Sequence, residues 1–66
     1  MTIYINGEPR DVPEGSTVAE VIRLAGLTAS PCAAEVNRRI VPWRERDHAV
    51  LAEGDRIEIV SLIGGG

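Results

Sequence analysis

The 66-residue sequence predicts one α+β domain, a mixed sheet with a single helix across one face. Three observations carry that expectation. An alternating apolar run at the start leads into Asn6-Gly7, a strong short hairpin signal. A capping box then opens an apolar stripe at helical spacing. The most apolar run, Ile57-Glu58-Ile59-Val60-Ser61-Leu62-Ile63, stands at the far end and reads as a strand.

In residues 2 to 5, Ile3 and Ile5 point to one face and Thr2 and Tyr4 to the other, the period of a half-buried strand. Asn6 and Gly7 both tolerate the positive φ of a type I′ turn. The return strand is expected from Glu8 to Val12, with Pro9 restricting it to an edge or to its turn-side end. Pro13-Glu14-Gly15 breaks the sheet. Thr17 is then placed as N-cap, with Glu20 reaching back from the third helical position. Val18, Val21, Ile22 and Ala25 form the buried stripe and Leu24 widens it, while Glu20 and Arg23 face out. Gly26 is placed to end the helix in a left-handed conformation, so that Leu27 folds back on Ile22. The helix is only about two turns long, a length that packing must hold.

Thr28-Ala29-Ser30-Pro31 reads as a loop and Cys32 to Val36 as a third strand, weakened by its alanines. Asn37-Arg38-Arg39 reads as a turn and Ile40-Val41 as a short extended piece closed by Pro42. Trp43 to His48 is either one irregular helical turn or an ordered crossover. Val50-Leu51 returns to the core, Glu53-Gly54-Asp55 is a tight turn, and Arg56 to Leu62 is the last strand. The first and last strands, both strongly apolar, are expected side by side and parallel in the centre. That arrangement is the β-grasp, or ubiquitin-like, fold. Its expected extent is residues 1–63, with a flexible glycine tail at 64–66.

Composition removes several classes of function. A net charge of −3 and a pI near 4.9 have the wrong sign for a nucleic-acid module. Cys32 is the only cysteine and His48 the only histidine, so no intramolecular disulfide and no Cys/His zinc cluster is available. Cys32 reads first as a buried thiol and His48 as a solvated side chain. No nucleophile–base pair is evident. All seven basic residues are arginine, which excludes Schiff-base chemistry on the chain's own lysine. Without a signal segment or a run of about 18 apolar residues, the chain is expected to be soluble and cytoplasmic, away from membranes. A lone Trp43 reads first as a lid over the core edge, with a partner anchor as the other reading.

What remains is Gly64-Gly65-Gly66. Three consecutive glycines bury no Cβ and resist ordering, so position alone suggests a frayed end. The rest of the chain points elsewhere. Asn37-Arg38-Arg39-Ile40-Val41-Pro42, then Gly54-Asp55-Arg56-Ile57-Glu58-Ile59, then the glycine terminus together resemble the ThiS family of sulfur carriers in thiamine biosynthesis. The resemblance runs the whole length and is sharpest over residues 36–66. Trp43 departs from it, since the family often has a polar or basic residue there.

The resemblance implies a protein that catalyses nothing itself and binds no cofactor. A ThiF-like adenylating enzyme uses ATP to make an acyl-adenylate of the terminal carboxylate, here that of Gly66. Sulfur from a cysteine desulfurase persulfide, an indirect partner, converts it to a thiocarboxylate. A ThiG-like thiazole synthase then takes the sulfur. Gly65 completes the required diglycine, and Gly64 has the weaker part of a linker. A tail without side chains suits a narrow, water-excluding channel. On the last strand Ile57 and Ile59 are assigned to the core. Val60 and Leu62, leading to Ile63, either form an exposed docking patch or pack against Trp43 and neighbouring strands; the two readings weigh evenly. The alternatives are sulfur transfer to molybdopterin, tRNA or cysteine synthesis, or a β-grasp binding module with an incidental tail.

Overall fold

A computed structural model describes residues 1–27 and 31–62 of the chain. In chain order it has β1 (Thr2–Ile5), β2 (Glu8–Asp11), α1 (Val18–Leu24), β3 (Cys32–Val36), β4 (Arg39–Ile40), a 3₁₀ turn (Trp43–Glu45) and β5 (Arg56–Ser61). The five strands form one sheet in the order β2-β1-β5-β3-β4. β1 and β5 run parallel at its centre, and the other neighbours are antiparallel. This is the β-grasp expected from the sequence. Most of the expected loop at Thr28-Ala29-Ser30-Pro31, and all of Ile63 to Gly66, lie outside the described residues.

The β1–β2 hairpin follows from its turn: Asn6 and Gly7 have φ of 50° and 87°, the left-handed values a type I′ turn requires. β2 is exposed throughout and is an edge strand, where Pro9 removes a donor at little cost. At α1 the capping box is complete. Glu20 N–H donates to Thr17 Oγ1 at 3.2 Å, and Thr17 N–H donates to Glu20 Oε1 at 3.0 Å. The next orphan donors are met from a distance, with Val18 N–H on the Ala49 carbonyl and Ala19 N–H on that of Arg46, each at 3.0 Å. Residues 43–50 are therefore both a helical turn and a crossover, tied to the start of α1. At the other end Leu27 N–H reaches the Ile22 carbonyl and Gly26 N–H that of Arg23, with Gly26 at φ 77°, a Schellman stop.

The core lies between α1 and one face of the sheet. Val18, Val21 and Ile22 pack into a cluster with Ile3, Ile5, Ala34, Ile57 and Ile59. Burying each large aliphatic side chain is worth about 1.5–3 kcal/mol, which is what holds a seven-residue helix in place. One alanine of β3 has a packing reason: Ala34 is fully buried in that cluster.

Four expectations are corrected. Leu24 is exposed, because it lies about 100° around the helix from the centre of the stripe. Of Val50-Leu51 only Leu51 is buried, since consecutive extended residues point to opposite sides. β4 is Arg39–Ile40 rather than Ile40-Val41, because Asn37 and Arg38 alone make the turn, both with positive φ. Trp43 is not a lid: it is 75% exposed.

Candidate functional site

The two faces of β5 differ sharply. Ile57 and Ile59 are buried beneath α1, whereas Glu58, Val60 and Leu62 are exposed. Val60 is 58% and Leu62 62% exposed, so neither packs away against Trp43 or a neighbouring strand. The register explains why. Val60 lies directly opposite Ala33, whose methyl group is too small to shield it. Leu62 continues past the end of β5, held by its N–H on the Pro31 carbonyl at 2.9 Å. The patch thus lies on the last described residues before Ile63 and the glycines.

The same outer face carries charge. Glu58 stands opposite Glu35, and Glu35 in turn opposite the exposed Ile40. Two carboxylates facing each other across a strand pair repel, which is tolerable because both are in contact with water. Toward β1, the Arg56 guanidinium lies 4.8 Å from the centre of the Tyr4 ring. The result is an apolar strip at Val60 and Leu62, bordered by an acidic pair. Among the described residues no group of three or more His, Cys, Asp and Glu is placed to hold a metal, and no helix is long and apolar enough to cross a membrane.

The residues that carry the family resemblance prove to be scaffolding for this strand. Asn37 donates through Nδ2 to Asp55 Oδ1 at 3.0 Å and accepts at Oδ1 from Arg56 N–H at 3.0 Å, while Asp55 Oδ2 accepts from Ala52 N–H at 2.8 Å. The mid-chain Asn turn and the Gly-Asp turn are thus one hydrogen-bonded clamp at the start of β5. On the other side, Tyr4 N–H donates to the Asp55 carbonyl and Asn6 N–H to that of Ile57. Where β1 turns away, the Asn6 side chain replaces it: Oδ1 accepts from Ile59 N–H at 2.8 Å and Nδ2 donates to the Ile59 carbonyl at 3.2 Å. Sequence reading saw Asn6 and Asn37 only as turn residues. Their second role depends on contacts more than 50 and about 20 residues away in sequence.

Arg46 was also missed. It comes from a polar run but is only 6% exposed, donating to the Cys32 carbonyl and lying 4.9 Å from the Trp43 ring centre. Cys32 is buried and His48 exposed.

A small β-grasp domain whose central strand is clamped on both sides and leads through an exposed apolar strip to glycine defines a ubiquitin-like carrier class. Comparison with known proteins narrows it. The ThiS family model matches residues 3–66. The sulfur carrier protein ThiS of Thermus thermophilus is 34% identical over 64 residues, covering 97% of this chain and 98% of that one. A thiazole synthase of Magnetococcus marinus is 36% identical over 66 residues, and this chain spans only 20% of its length. Among solved structures, a thiamine biosynthesis protein (ThiS) from Geobacter metallireducens superposes with a TM-score of 0.84 at 25% identity, covering both chains in full. The chain belongs to the ThiS family, the small sulfur carriers of thiamine biosynthesis.

Proposed function

We propose that this protein carries sulfur for thiazole formation as a thiocarboxylate on Gly66, and that it supplies a handle while partner enzymes supply the catalysis. The observation that carries the reading is the exposed Val60–Leu62 strip on a clamped central strand, leading directly to Gly64-Gly65-Gly66, in a chain of the ThiS family. A carboxylate is a poor electrophile. An adenylating, ThiF-like enzyme transfers the AMP moiety of ATP to it, releasing pyrophosphate. The terminal sulfur of a persulfide, originating from a cysteine desulfurase, then displaces AMP to give an acyl disulfide. A thiol reductant cleaves its S–S bond, leaving the thiocarboxylate and a new disulfide. Adenylation and displacement both demand a site that excludes water, because water hydrolyses the adenylate. Gly65, with Gly64 behind it, leaves such a channel clear of side chains. Val60, Leu62 and Ile63 form the docking strip, and the bordering Glu35–Glu58 pair suits a partner with basic residues at its rim. A ThiG-like thiazole synthase receives the sulfur. The likeness to a longer thiazole synthase supports that partner, since a segment resembling this chain and the synthase name occur there in one polypeptide.

The test is intact-mass measurement after incubation with ATP, the adenylating enzyme and a sulfur source. Replacement of one terminal oxygen by sulfur is the expected result. An unchanged mass, under conditions where an established carrier converts, overturns the reading. Appending one residue after Gly66 is expected to abolish conversion while leaving the fold intact. Co-purification with a molybdopterin synthase subunit in place of thiazole synthase would reassign the pathway.

A further inference from the structure

On the helix side of the sheet, away from the Val60–Leu62 strip, a cleft of about 270 Å³ opens between α1 and the 3₁₀ turn. Ile22 lines it from the helix, Leu27 from just beyond the helix end, and Trp43 from the turn. Arg23 and Arg44 are exposed at its edge, and Arg46 is buried in its wall. Asp47 is the acidic residue lining it, so three cations face one anion in a chain whose net charge is −3.

Arg46 is the unusual feature. Its guanidinium donates to the Cys32 carbonyl, lies 3.6 Å from Cys32 Sγ and stacks on the Trp43 ring. Its Nε has no hydrogen-bond partner, and among the described residues it has no carboxylate within ion-pair distance. Burying a cation without a counter-charge costs several kcal/mol, of which a cation–π contact returns only part. The cleft therefore has an unmatched positive potential, beside a tryptophan that is largely in water. Arginine and tryptophan are the residue types that most often dominate binding energy at interfaces. The location is also informative. Cys32, which holds Arg46, is the cross-strand partner of Ser61 at the end of β5. The cleft thus lies at the end of the sheet from which the glycine segment departs.

We propose that this cleft receives an acidic side chain, with an apolar neighbour over Trp43, from the enzyme that activates the tail. The proposal rests on the sulfur-carrier reading and adds a second grip, on the face of the sheet opposite the Val60–Leu62 strip. The carboxylate is bound by Arg23 and Arg44 and drawn by the field of Arg46 beneath them. Trp43, largely exposed at the mouth of the cleft, supplies the apolar half of the grip.

The experiment is ATP–pyrophosphate exchange by the cognate adenylating enzyme with the full chain as substrate, comparing wild type with Arg23→Gln/Arg44→Gln and with Trp43→Ala. Circular dichroism and thermal melting establish that each variant is folded. Each is expected to raise KM about tenfold with kcat within about twofold, the pattern of a lost docking contact distant from the reacting atoms. Added salt should raise the wild-type KM and have much less effect on the double variant. A KM within about twofold of wild type for both folded variants overturns the proposal. If the wild-type chain supports no exchange, the carrier reading itself fails and this inference with it, a result distinct from exchange that is indifferent to the cleft.

Discussion

Ile59 and Val60 are neighbours on β5 and differ by one methylene, yet one is buried opposite Ala34 and the other stands exposed opposite Ala33. Both residues are apolar, and only one side of the strand is covered. On the inner face the helix supplies the cover, and Ala34 is buried with Ile59 in the core. On the outer face small Ala33 leaves Val60 projecting, and none of the described residues hides it. Hydrophobicity alone would assign both residues to the core. The difference teaches that the fold does not depend on burying the outer residues, which is what the docking role proposed for them requires.

The comparison can be broken or sharpened by substitution. The largest effect is expected from Ile57→Ala, which opens a cavity in the inner face and should cost about 2–5 kcal/mol, measured by denaturant unfolding. In a domain this small that is much of the total stability, so the variant should be partly unfolded at 37 °C. Removing a clamp is next. Asn37→Ala leaves Asp55 and the Arg56 N–H short of partners and should cost about 1–3 kcal/mol, against which a melting temperature equal to wild type would count decisively. Val60→Asp should leave stability within about 1 kcal/mol but raise the KM for adenylation about tenfold or more. Normal adenylation kinetics in that variant would remove the outer face as a docking surface. Thr17→Ala deletes the helix N-cap and should cost about 1 kcal/mol with unchanged KM. Smallest is Leu24→Gln, expected within about 0.5 kcal/mol of wild type, because Leu24 is exposed and outside both surfaces.

Local signals were readable in the sequence. Asn6-Gly7, the Thr17–Glu20 box and the Gly26 stop each specify a conformation within a few residues, and each forms as expected. The parallel centre was legible because the first and last strands are the most apolar in the chain. Two features resisted reading, each because distant residues create it. Asn6 serves as a substitute strand for Ile59 only once β5 lies beside it. Arg46 is buried by its neighbours in space, and nothing in the polar run Arg44 to His48 distinguishes it from Arg44. Leu24 and Val50 show the converse: periodicity marks what is apolar, while burial depends on what comes to cover it. Of the candidate site, the apolar strip could be named from alternation, but its exposure could not, since that depends on pairing Val60 with an alanine.

The central position of β5 has a consequence in time. β1 and β3 are not neighbours; each hydrogen-bonds to β5, which is the last of the described elements to be synthesised. While the chain is being made, the β1–β2 hairpin and α1 can form, but the two halves of the sheet have nothing to join them. Long-range pairing of this kind delays folding until the distant partner arrives. The domain therefore closes as a whole only when Arg56–Ser61 is available. A product truncated before that strand would lack both the core and the route to the glycines, and would be open to proteolysis. A chain that stops short of β5 thus has neither a closed core nor the strand that carries Val60.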